Sequence, residues 1–287
     1  MPSFSDQLGR TVFLPQTPRR IISLVPSQTE LLYTLGLADA VVGITKFCIH
    51  PESWFHTKTR VGGTKAVDRA RVDALQPDLI IANKEENDRP QIEALAARYP
   101  VWISDIKTLA DALAMIRAVG EITGTSAAAI RMAAEIASRF QQLPLPAPPV
   151  PAIYIIWRFE RSTFRKQRIK PAANALQIPT DNAGAAGPYM AAGGDTFISH
   201  MLRYCGYTNF LAGSDRYPTV DLSSLAGPIP PTILLSSEPY PFRQRHIDEI
   251  KEILPDARVR LVDGEFFSWY GSRLLEAPKY FRELSDI

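Results

Sequence analysis

Cysteine is almost absent from this sequence, in which Cys48 and Cys205 are the only two among 287 residues. Two cysteines so far apart do not form the disulfide framework of a small secreted domain. Long apolar runs are also lacking, because no window approaches the roughly 18 consecutive apolar residues that a membrane-spanning helix requires. The N-terminal segment lacks the pattern of a signal peptide, since Asp6 and Arg10 interrupt it. On the sequence as given we therefore expect a cytoplasmic protein, or a periplasmic one if the chain is a processed form.

An excess of charge of one sign is likewise lacking, as 32 basic residues balance 30 acidic ones. The net charge of +2 provides no general attraction for nucleic acid or an anionic membrane, and we expect neither as a partner. The motifs of common catalytic sites are missing as well: the Gly-x-Ser-x-Gly elbow, the Walker loop, Gly-x-Gly-x-x-Gly after a strand, and His-Glu-x-x-His. These absences argue against an enzyme.

What the sequence does contain is an alternation of strand and helix patterns. Short apolar runs predict strands at 20–25, 41–44, 78–82, 101–103, 152–157 and 259–262. Segments with helical periodicity separate most of these runs, and nearly all of 109–143 has the helical pattern. This alternation favours an α/β fold with a mainly parallel sheet.

Two related lobes are predicted, because the chain exceeds the length at which a single hydrophobic core usually stops growing. The strand and helix that follow Pro77 have a counterpart after Pro231, so the second half repeats the order of the first. Residues 107–150 read as linking helices that end in a proline-rich stretch. We therefore predict an N-terminal α/β lobe over residues 1–106 and a C-terminal α/β lobe over residues 151–287.

Open α/β sheets bind ligands at the carboxyl ends of their strands, so two such lobes would place a shared cleft at these edges. The loops at these edges are rich in aromatic residues, which suit a large apolar ligand. The aromatics of 263–273 could instead pack the base of the lobe. The predicted ligand-binding residues are Ser27, Phe47, Trp54, Lys84 and Glu85 in the first lobe, and Trp157, Tyr189, Met190, Glu238, Tyr240, Phe267, Ser268, Trp269, Tyr270 and Arg273 in the second.

A metal site is a further hypothesis for the first lobe. Cys48, His50 and His56 supply thiol and imidazole donors that can ligate zinc, iron or cobalt. Their spacing matches no closed structural zinc pattern, and a fourth ligand is not evident. Structural roles, or roles lining the ligand site, are the alternative for all three residues.

Motifs spread over nearly the whole chain point to a known family. They are Asp6-x-Leu-Gly-Arg-x-Val-x-Leu-Pro, Arg20-Ile-Ile-Ser-Leu-Val-Pro-Ser-x-Thr-Glu-Leu and Leu75-x-Pro-Asp-Leu-Ile-Ile. They resemble the helical-backbone metal receptors, the class III substrate-binding proteins of ABC importers, and above all the cobalamin-binding subgroup. The resemblance implies two Rossmann-like lobes joined by a single long α-helix. It also implies that a monomer binds a corrinoid, haem or ferric siderophore without catalysis or a required cofactor and delivers it to an ABC permease.

Three departures from the family pattern bear on the ligand and the partner. Ala70 stands where the first lobe of the family carries an acidic residue that docks on the permease. Thr64 stands where a tryptophan packs on cobalamin. An insertion at 159–187 would form either an anion clamp or a solvated loop, and its basic residues include Arg161, Arg165, Lys166 and Arg168.

Two alternatives to a transport receptor use the same scaffold. One is a chelatase-like enzyme or cytoplasmic chaperone for a tetrapyrrole, with His50 and Glu238 as candidate groups. The other is a protein-interaction module that has lost its ligand.

Overall fold

A computed structural model describes residues 2–144, 148–159, 188–225 and 231–285 of the chain. Its contacts divide the chain into two compact units. The first comprises Met1–Gln142 and Trp269–Glu276, and the second comprises Leu143–Ser268 and Ala277–Ile287. The basic residues predicted to form an anion clamp lie outside the described residues: Arg161, Arg165, Lys166 and Arg168. Within the described ranges, no helix is both long enough and apolar enough to cross a bilayer.

The first unit is built on a five-stranded parallel sheet. Its strands are β3 (Ile21–Ser23), β4 (Val41–Ile44), β5 (Thr59–Arg60), β6 (Leu79–Asn83) and β7 (Val101–Ser104), and a separate antiparallel hairpin pairs β1 (Ser3–Ser5) with β2 (Thr11–Phe13). The strand order is β5-β4-β3-β6-β7. β3 and β6 are buried along their whole length, as expected of central strands covered on both faces. The strands predicted for this half of the chain are confirmed.

The helices of the first unit are α1 (Pro26–Thr34), α2 (Glu52–Thr57), α3 (Arg69–Leu75), α4 (Arg89–Ala96), α5 (Leu109–Ile122) and α6 (Ser126–Gln141). α5 begins in a capping box, in which Thr108 Oγ1 accepts the Asp111 N–H and Asp111 Oδ2 accepts the Thr108 N–H. α5 and α6 pack closely, because a Cβ at Gly120 would lie only 2.2 Å from the Cβ of Ala129. The helical pattern predicted over 109–143 is confirmed.

The second unit contains a mixed sheet. Its strands are β8 (Val150–Arg158), β9 (Tyr189–Ala191), β10 (Tyr207–Asn209), β11 (Thr219–Val220), β12 (Thr232–Ser236) and β13 (Val259–Val262). The order is β11-β9-β8-β12-β13, with β10 paired to the start of β8. β8 runs parallel to β10 and β12, and β12 runs parallel to β13, whereas β9 is antiparallel to both of its neighbours. The predicted α/β class is confirmed, but the antiparallel strands were not foreseen.

The helices of the second unit are α7 (Phe197–Leu202), α8 (Gln244–Ile253), α9 (Glu265–Ser268) and α10 (Ala277–Ser285), with short 3₁₀ turns at Arg203–Cys205 and Leu222–Leu225. α8 contributes Ile250 to a core that includes Ile153 of β8 and Leu235 of β12. The sheet and this helix therefore share one apolar layer.

The segment Trp269–Glu276 joins the first unit although it lies near the end of the chain. A Cβ at Gly271 would lie 2.6 Å from the carbonyl oxygen of Ser27, so glycine permits the segment to approach the start of α1. The sequence analysis placed this segment in a C-terminal lobe of residues 151–287, whereas its contacts in the structure group it with the first unit. The lobe boundaries at 106 and 150 stay a prediction.

Candidate functional site

Buried amides and hydroxyls lie at the carboxyl ends of the strands in the first unit. Asn83 ends β6 and Ser104 ends β7, and Asn83 Nδ2 donates to Ser104 Oγ at 2.9 Å. Gln28, in the first turn of α1, donates from Nε2 to the same Ser104 oxygen at 2.6 Å. All three side chains are buried, and their hydrogen bonds offset the loss of water. This polar network fixes the loop between β3 and α1 against two neighbouring strand ends.

Asn87 extends the network. Its Oδ1 accepts the main-chain N–H of Asn83 at 2.8 Å. Its Nδ2 donates to the carbonyl oxygens of Leu24 at 3.2 Å and Thr64 at 3.0 Å. Thr64 itself is buried, at the position where the family resemblance led us to look for a ligand-packing tryptophan. The loop at Thr64 is therefore bonded through Asn87 to the strand ends of the sheet.

Lys84 and Glu85 follow the end of β6. The Nζ of Lys84 forms an ion pair with Asp105 Oδ2 at 2.5 Å. The main-chain N–H of Glu85 donates to Asn83 Oδ1 at 2.8 Å, and its carbonyl oxygen accepts from Lys65 Nζ. Lys84 thus carries its charge beside a carboxylate that sequence reasoning missed, and Asp105 could have been found only from its position directly after β7.

The loop after β4 exposes two apolar side chains. Phe47 is 51% exposed and Ile49 is 47% exposed. Between them, Cys48 is buried, and its Sγ lies 3.1 Å from Thr29 Oγ1 and 3.2 Å from Thr45 Oγ1. The loop therefore anchors itself through Cys48 and presents Phe47, as predicted, together with Ile49, which the sequence analysis did not single out. The alternation of exposed and buried residues was the signal that could have found Ile49.

The structure does not bring the three predicted metal donors together. Among the residues that the structure describes, no three His, Cys, Asp or Glu side chains are grouped so that they could hold a metal ion. Burial raises the pKa of the Cys48 thiol, which opposes the thiolate form that binds metals. His56 lies 3.7 Å from Glu52 on the surface of α2, and the ring of His50 lies 5.6 Å from that of Trp269. The three predicted donors thus occupy different surroundings.

Trp54 is a packing residue rather than an exposed ligand contact. It is buried, and its ring meets that of Tyr33 edge-on at 5.4 Å. Lys58 places its Nζ 5.3 Å from the centre of the same ring. The contact with Tyr33 is made from the neighbouring helix α1, which a reading of the loop sequence alone does not supply.

The three aromatic residues predicted as ligand contacts within 263–273 are buried as well. Phe267 is fully buried in the second unit, with its ring centre 4.9 Å from that of Tyr154 and 5.1 Å from that of Phe281. Trp269 and Tyr270 are buried and belong to the first unit. The burial of these rings contradicts the prediction that they are exposed to a ligand. The alternative, that they pack inside the protein, agrees with the structure.

Ser268 and Arg273 have partners inside the protein. Ser268 Oγ donates to Glu238 Oε1 at 2.7 Å. Arg273 contacts Glu30 through two hydrogen bonds, from Nη2 at 2.6 Å and from Nε at 3.2 Å. The guanidinium group also lies 4.6 Å from the ring centre of Trp269. Arg273 is thus engaged in the first unit, and the prediction that it serves as a handle for ligand stays untested.

The second unit presents an apolar surface that we call the tryptophan patch, formed by Trp157, Met190 and Tyr240. Trp157 is 39% exposed and lies directly opposite Met190 in the antiparallel β8–β9 ladder, so both side chains project from the same face. A shift of register between Ile155 and Trp157 sets the direction of Trp157. The ring of Tyr240 meets Trp157 edge-on at 5.5 Å. The patch therefore brings together three predicted residues.

Tyr189 supports this patch from beneath. It is fully buried and stacks on Phe242, with ring centres 6.4 Å apart, and Phe242 in turn lies 4.6 Å from Tyr240. Burial raises the pKa of Tyr189 to about 12, so its hydroxyl stays neutral. His246, which the sequence analysis missed, packs behind Tyr240 with ring centres 5.5 Å apart. His246 could have been identified from the sequence by its place at the third position of the helix that follows Arg243, a position that capping residues occupy.

The first α/β unit carries a buried polar network at its strand ends, and the second carries an exposed aromatic patch. Open α/β sheets bind ligands at their strand ends, so these features are typical of the class of ligand-binding α/β proteins. Residues 21–253 match the model of a family described as periplasmic binding protein. Because this match spans most of its length, the chain belongs to the periplasmic binding protein family. This family consists of substrate-binding proteins, so the chain is a non-catalytic ligand-binding protein and the chelatase-like alternative is set aside.

Individual relatives agree with this assignment. The vitamin B12-binding protein of Yersinia pestis (strain Pestoides F) is 27% identical over 283 residues, which cover 95% of this chain and 88% of that protein. The apo periplasmic haem-binding protein of Roseiflexus sp. RS-1 matches with a TM-score of 0.68 and 19% identity, covering 93% of this chain and 99% of that one. A siderophore-binding protein bound to acinetobactin and ferric iron matches with a TM-score of 0.73 and 14% identity, covering 99% and 98%. At such identities the two structures establish the fold alone.

Proposed function

We propose that the protein binds a metal chelate with a large apolar surface, a corrinoid first and a haem or ferric siderophore next, and that it does so through the tryptophan patch. The observation that carries this proposal is the exposure of Trp157 beside Tyr240 and Met190 on one face of the second unit. An indole and a phenol offer large contact areas at a small cost in conformational entropy, which suits a broad macrocycle. The vitamin B12-binding relative supports a corrinoid as the first candidate.

The first unit supplies a second set of candidate contacts. Phe47 and Ile49 project from the loop after β4. Lys84 and Glu85 follow β6, which is separated from β4 in the sheet by the single strand β3. The contacts of Cys48 with Thr29 and Thr45 hold the loop after β4, and the bond from the Glu85 N–H to Asn83 holds the segment after β6, so both main chains need little ordering when a ligand binds. We propose this edge of the first unit as a second candidate surface, on which Phe47 and Ile49 would provide apolar contacts and Lys84 would meet a polar substituent.

A titration tests the proposal. Purified protein is titrated with cyanocobalamin, haemin and ferric acinetobactin, and tryptophan fluorescence and the visible absorption band of each compound are followed. We expect saturable binding of at least one of them. Trp157→Ala should weaken that binding about tenfold, the size expected for the loss of an aromatic contact. Phe47→Ala should weaken it by a smaller factor.

Phe210→Ala is the matched control, because Phe210 is 48% exposed in the same second unit and lies outside the patch. Binding by this variant should equal that of the unaltered protein. Absence of binding by all three compounds would rule out the ligand class. Equal losses in the Phe210 and Trp157 variants would show that the patch is not the contact surface.

We further propose that the ligand is passed to an ABC permease and that the protein works in the periplasm, as the description of its family indicates. Ala70 is exposed on the first turn of α3 between Arg69 and Arg71, and the neighbouring acid, Asp68, caps the helix and pairs with Arg71 at 3.1 Å. We propose that docking uses other residues of the first unit. Trp157→Ala should then lower cellular uptake of the bound compound in parallel with its affinity, and unchanged uptake would argue against a transport role.

A further inference from the structure

His246 is a buried histidine directly behind the tryptophan patch. It is the third residue of α8 and is fully buried. Its ring centre lies 5.3 Å from that of Phe242 and 5.5 Å from that of Tyr240, and both rings meet it edge-on. Tyr240 in turn contacts Trp157. His246 is therefore separated from Trp157 by a single side chain and lies beneath the surface of the patch.

Hydrogen bonds define the protonation state of His246. Its Nδ1 accepts the main-chain N–H of Arg243 at 2.8 Å, and a main-chain N–H can only donate, so Nδ1 carries no proton. In the neutral ring the proton then resides on Nε2, which lies 3.4 Å from the Tyr240 hydroxyl oxygen. The bond from Arg243 is equivalent to the one that a glutamine makes at the third position of a capping box. His246 thus caps α8 and reaches Tyr240 with its two nitrogens.

Protonation would remove the contact with Arg243, and the ring that contacts Tyr240 would lose the bond that fixes its position. A proton on Nδ1 would face the Arg243 N–H and remove that hydrogen bond. Two cationic groups lie near the ring. Arg245 Nε is 3.4 Å from Nε2, to which it cannot donate while Nε2 carries the proton, and Arg158 of β8 pairs with Glu249 of α8. The carboxylate of Glu249, also on α8, is already paired with Arg158 at 2.6 Å, and Tyr240 contributes a neutral hydroxyl. The charges around His246 therefore offer little compensation to an imidazolium.

The electrostatic surroundings agree with this geometry. Burial lowers the pKa of His246, and the charge of Arg245 lowers it further. A histidine whose pKa is lowered by folding stabilises the folded state above its ordinary pKa of about 6.5, and this contribution is lost as the pH falls below that value. Acid should therefore loosen the packing around His246 before it unfolds the protein.

We propose that His246 is a positioning residue, which holds Tyr240, and through it Trp157, in place for the ligand only while its imidazole is neutral. Affinity for the ligand then decreases in acid although His246 does not touch the ligand. This inference rests on the proposed function in one respect, since it takes Trp157 and Tyr240 to be contact residues.

The first test needs no ligand. Acrylamide quenching of tryptophan fluorescence is measured from about pH 7.5 to about pH 4.5, a range that extends well below the ordinary histidine pKa because folding lowers the pKa of His246. The share of Trp157 is obtained by subtracting the signal of Trp157→Phe. We expect quenching of Trp157 to increase in acid in the unaltered protein and to stay constant in His246→Gln, because glutamine keeps the cap of α8 and does not titrate. His200→Gln, at a second histidine of the same unit, should retain the dependence on pH.

The second test uses cyanocobalamin as the probe. Its dissociation constant should rise about fivefold over the same pH range in the unaltered protein and less than about twofold in His246→Gln, as expected for one weakened aromatic contact. If His246→Gln does not fold, Tyr240→Phe removes the hydroxyl and should reduce the pH dependence of Trp157 quenching in its place.

The outcomes separate the two proposals. Failure of cyanocobalamin to bind at any pH counts against the corrinoid, while the quenching experiment still decides the role of His246. Constant quenching of Trp157 in the unaltered protein, or an unchanged pH dependence in His246→Gln, would overturn the inference.

Discussion

The strand ends of the first unit are held by buried amides and hydroxyls, whereas those of the second unit are backed by aromatic rings. In the first unit Asn83 and Ser104 bond to the main chain of neighbouring strands, and Asn87 bonds to the main chain of a neighbouring loop. In the second unit Tyr189, Phe242 and His246 lie in ring contact beneath Tyr240. The edges of the parallel sheet and of the mixed sheet thus obtain order from different interactions.

The difference predicts how each edge responds to change. Hydrogen bonds are directional, and removal of one buried partner leaves the others unsatisfied, so the first edge should tolerate substitution poorly. Ring contacts depend on shape and area, so a partly exposed ring can be removed with less effect on stability. The second edge can therefore offer a binding surface whose loss leaves the fold intact, provided that the rings beneath it remain.

The strongest test separates the buried rings of the second unit from the exposed one. Phe267→Ala should lower the free energy of unfolding by about 4 kcal/mol, because a fully buried ring between Tyr154 and Phe281 is replaced by a cavity. Trp157→Ala should lower it by only about 1 kcal/mol, since its ring is partly exposed. Denaturant unfolding measures both. A loss of binding in Phe267→Ala without a loss of stability would restore the ligand-contact hypothesis for Phe267.

The first edge is tested by Asn87→Ala. The substitution removes one acceptor and two donors and leaves the Asn83 N–H and the carbonyl oxygens of Leu24 and Thr64 without this partner. We expect a loss of about 3 kcal/mol in the free energy of unfolding. Gln244→Ala is the control, because its hydrogen bond to Asp248 is exposed, and it should change stability by less than about 0.5 kcal/mol. Similar effects of the two substitutions would show that the network contributes little.

The features of both units that depend on local sequence patterns could be predicted from the sequence. The central strands were predictable because their apolar runs are local and continuous, as in Leu79–Asn83. The helices α5 and α6 were predictable from their periodicity. The family resemblance extended this reading to the two-lobed fold and to non-catalytic binding, and the match over residues 21–253 confirms it.

Burial of individual side chains was not predictable in the same way, because it depends on distant parts of the chain. Trp54 is covered by Tyr33, and Cys48 is fixed by the hydroxyl of Thr29. Neither partner is adjacent in sequence, so both residues read as available in a loop. The bulge that directs Trp157 and the capping role of His246 likewise follow from pairings that appear only in the folded chain.

The smallest expected effect concerns the segment that the first unit receives from the end of the chain. Glu30 and Arg273 are 243 residues apart, and their side chains are 20% and 16% exposed. A double-mutant cycle of Glu30→Ala and Arg273→Ala should give a coupling energy of about 1.5 kcal/mol, because a largely buried and bidentate pair is less screened than a surface pair.

The pair of Arg89 and Glu93 on α4 is the matched control for this cycle. Its side chains are 88% and 58% exposed, and its coupling should be about 0.3 kcal/mol. A larger coupling for Glu30 and Arg273 would show that the polar bonding of the first unit also retains the segment Trp269–Glu276. Equal coupling would mean that this segment is held by the close approach of Gly271 and the burial of Trp269 and Tyr270, and that the two units differ less in their bonding than their contacts indicate.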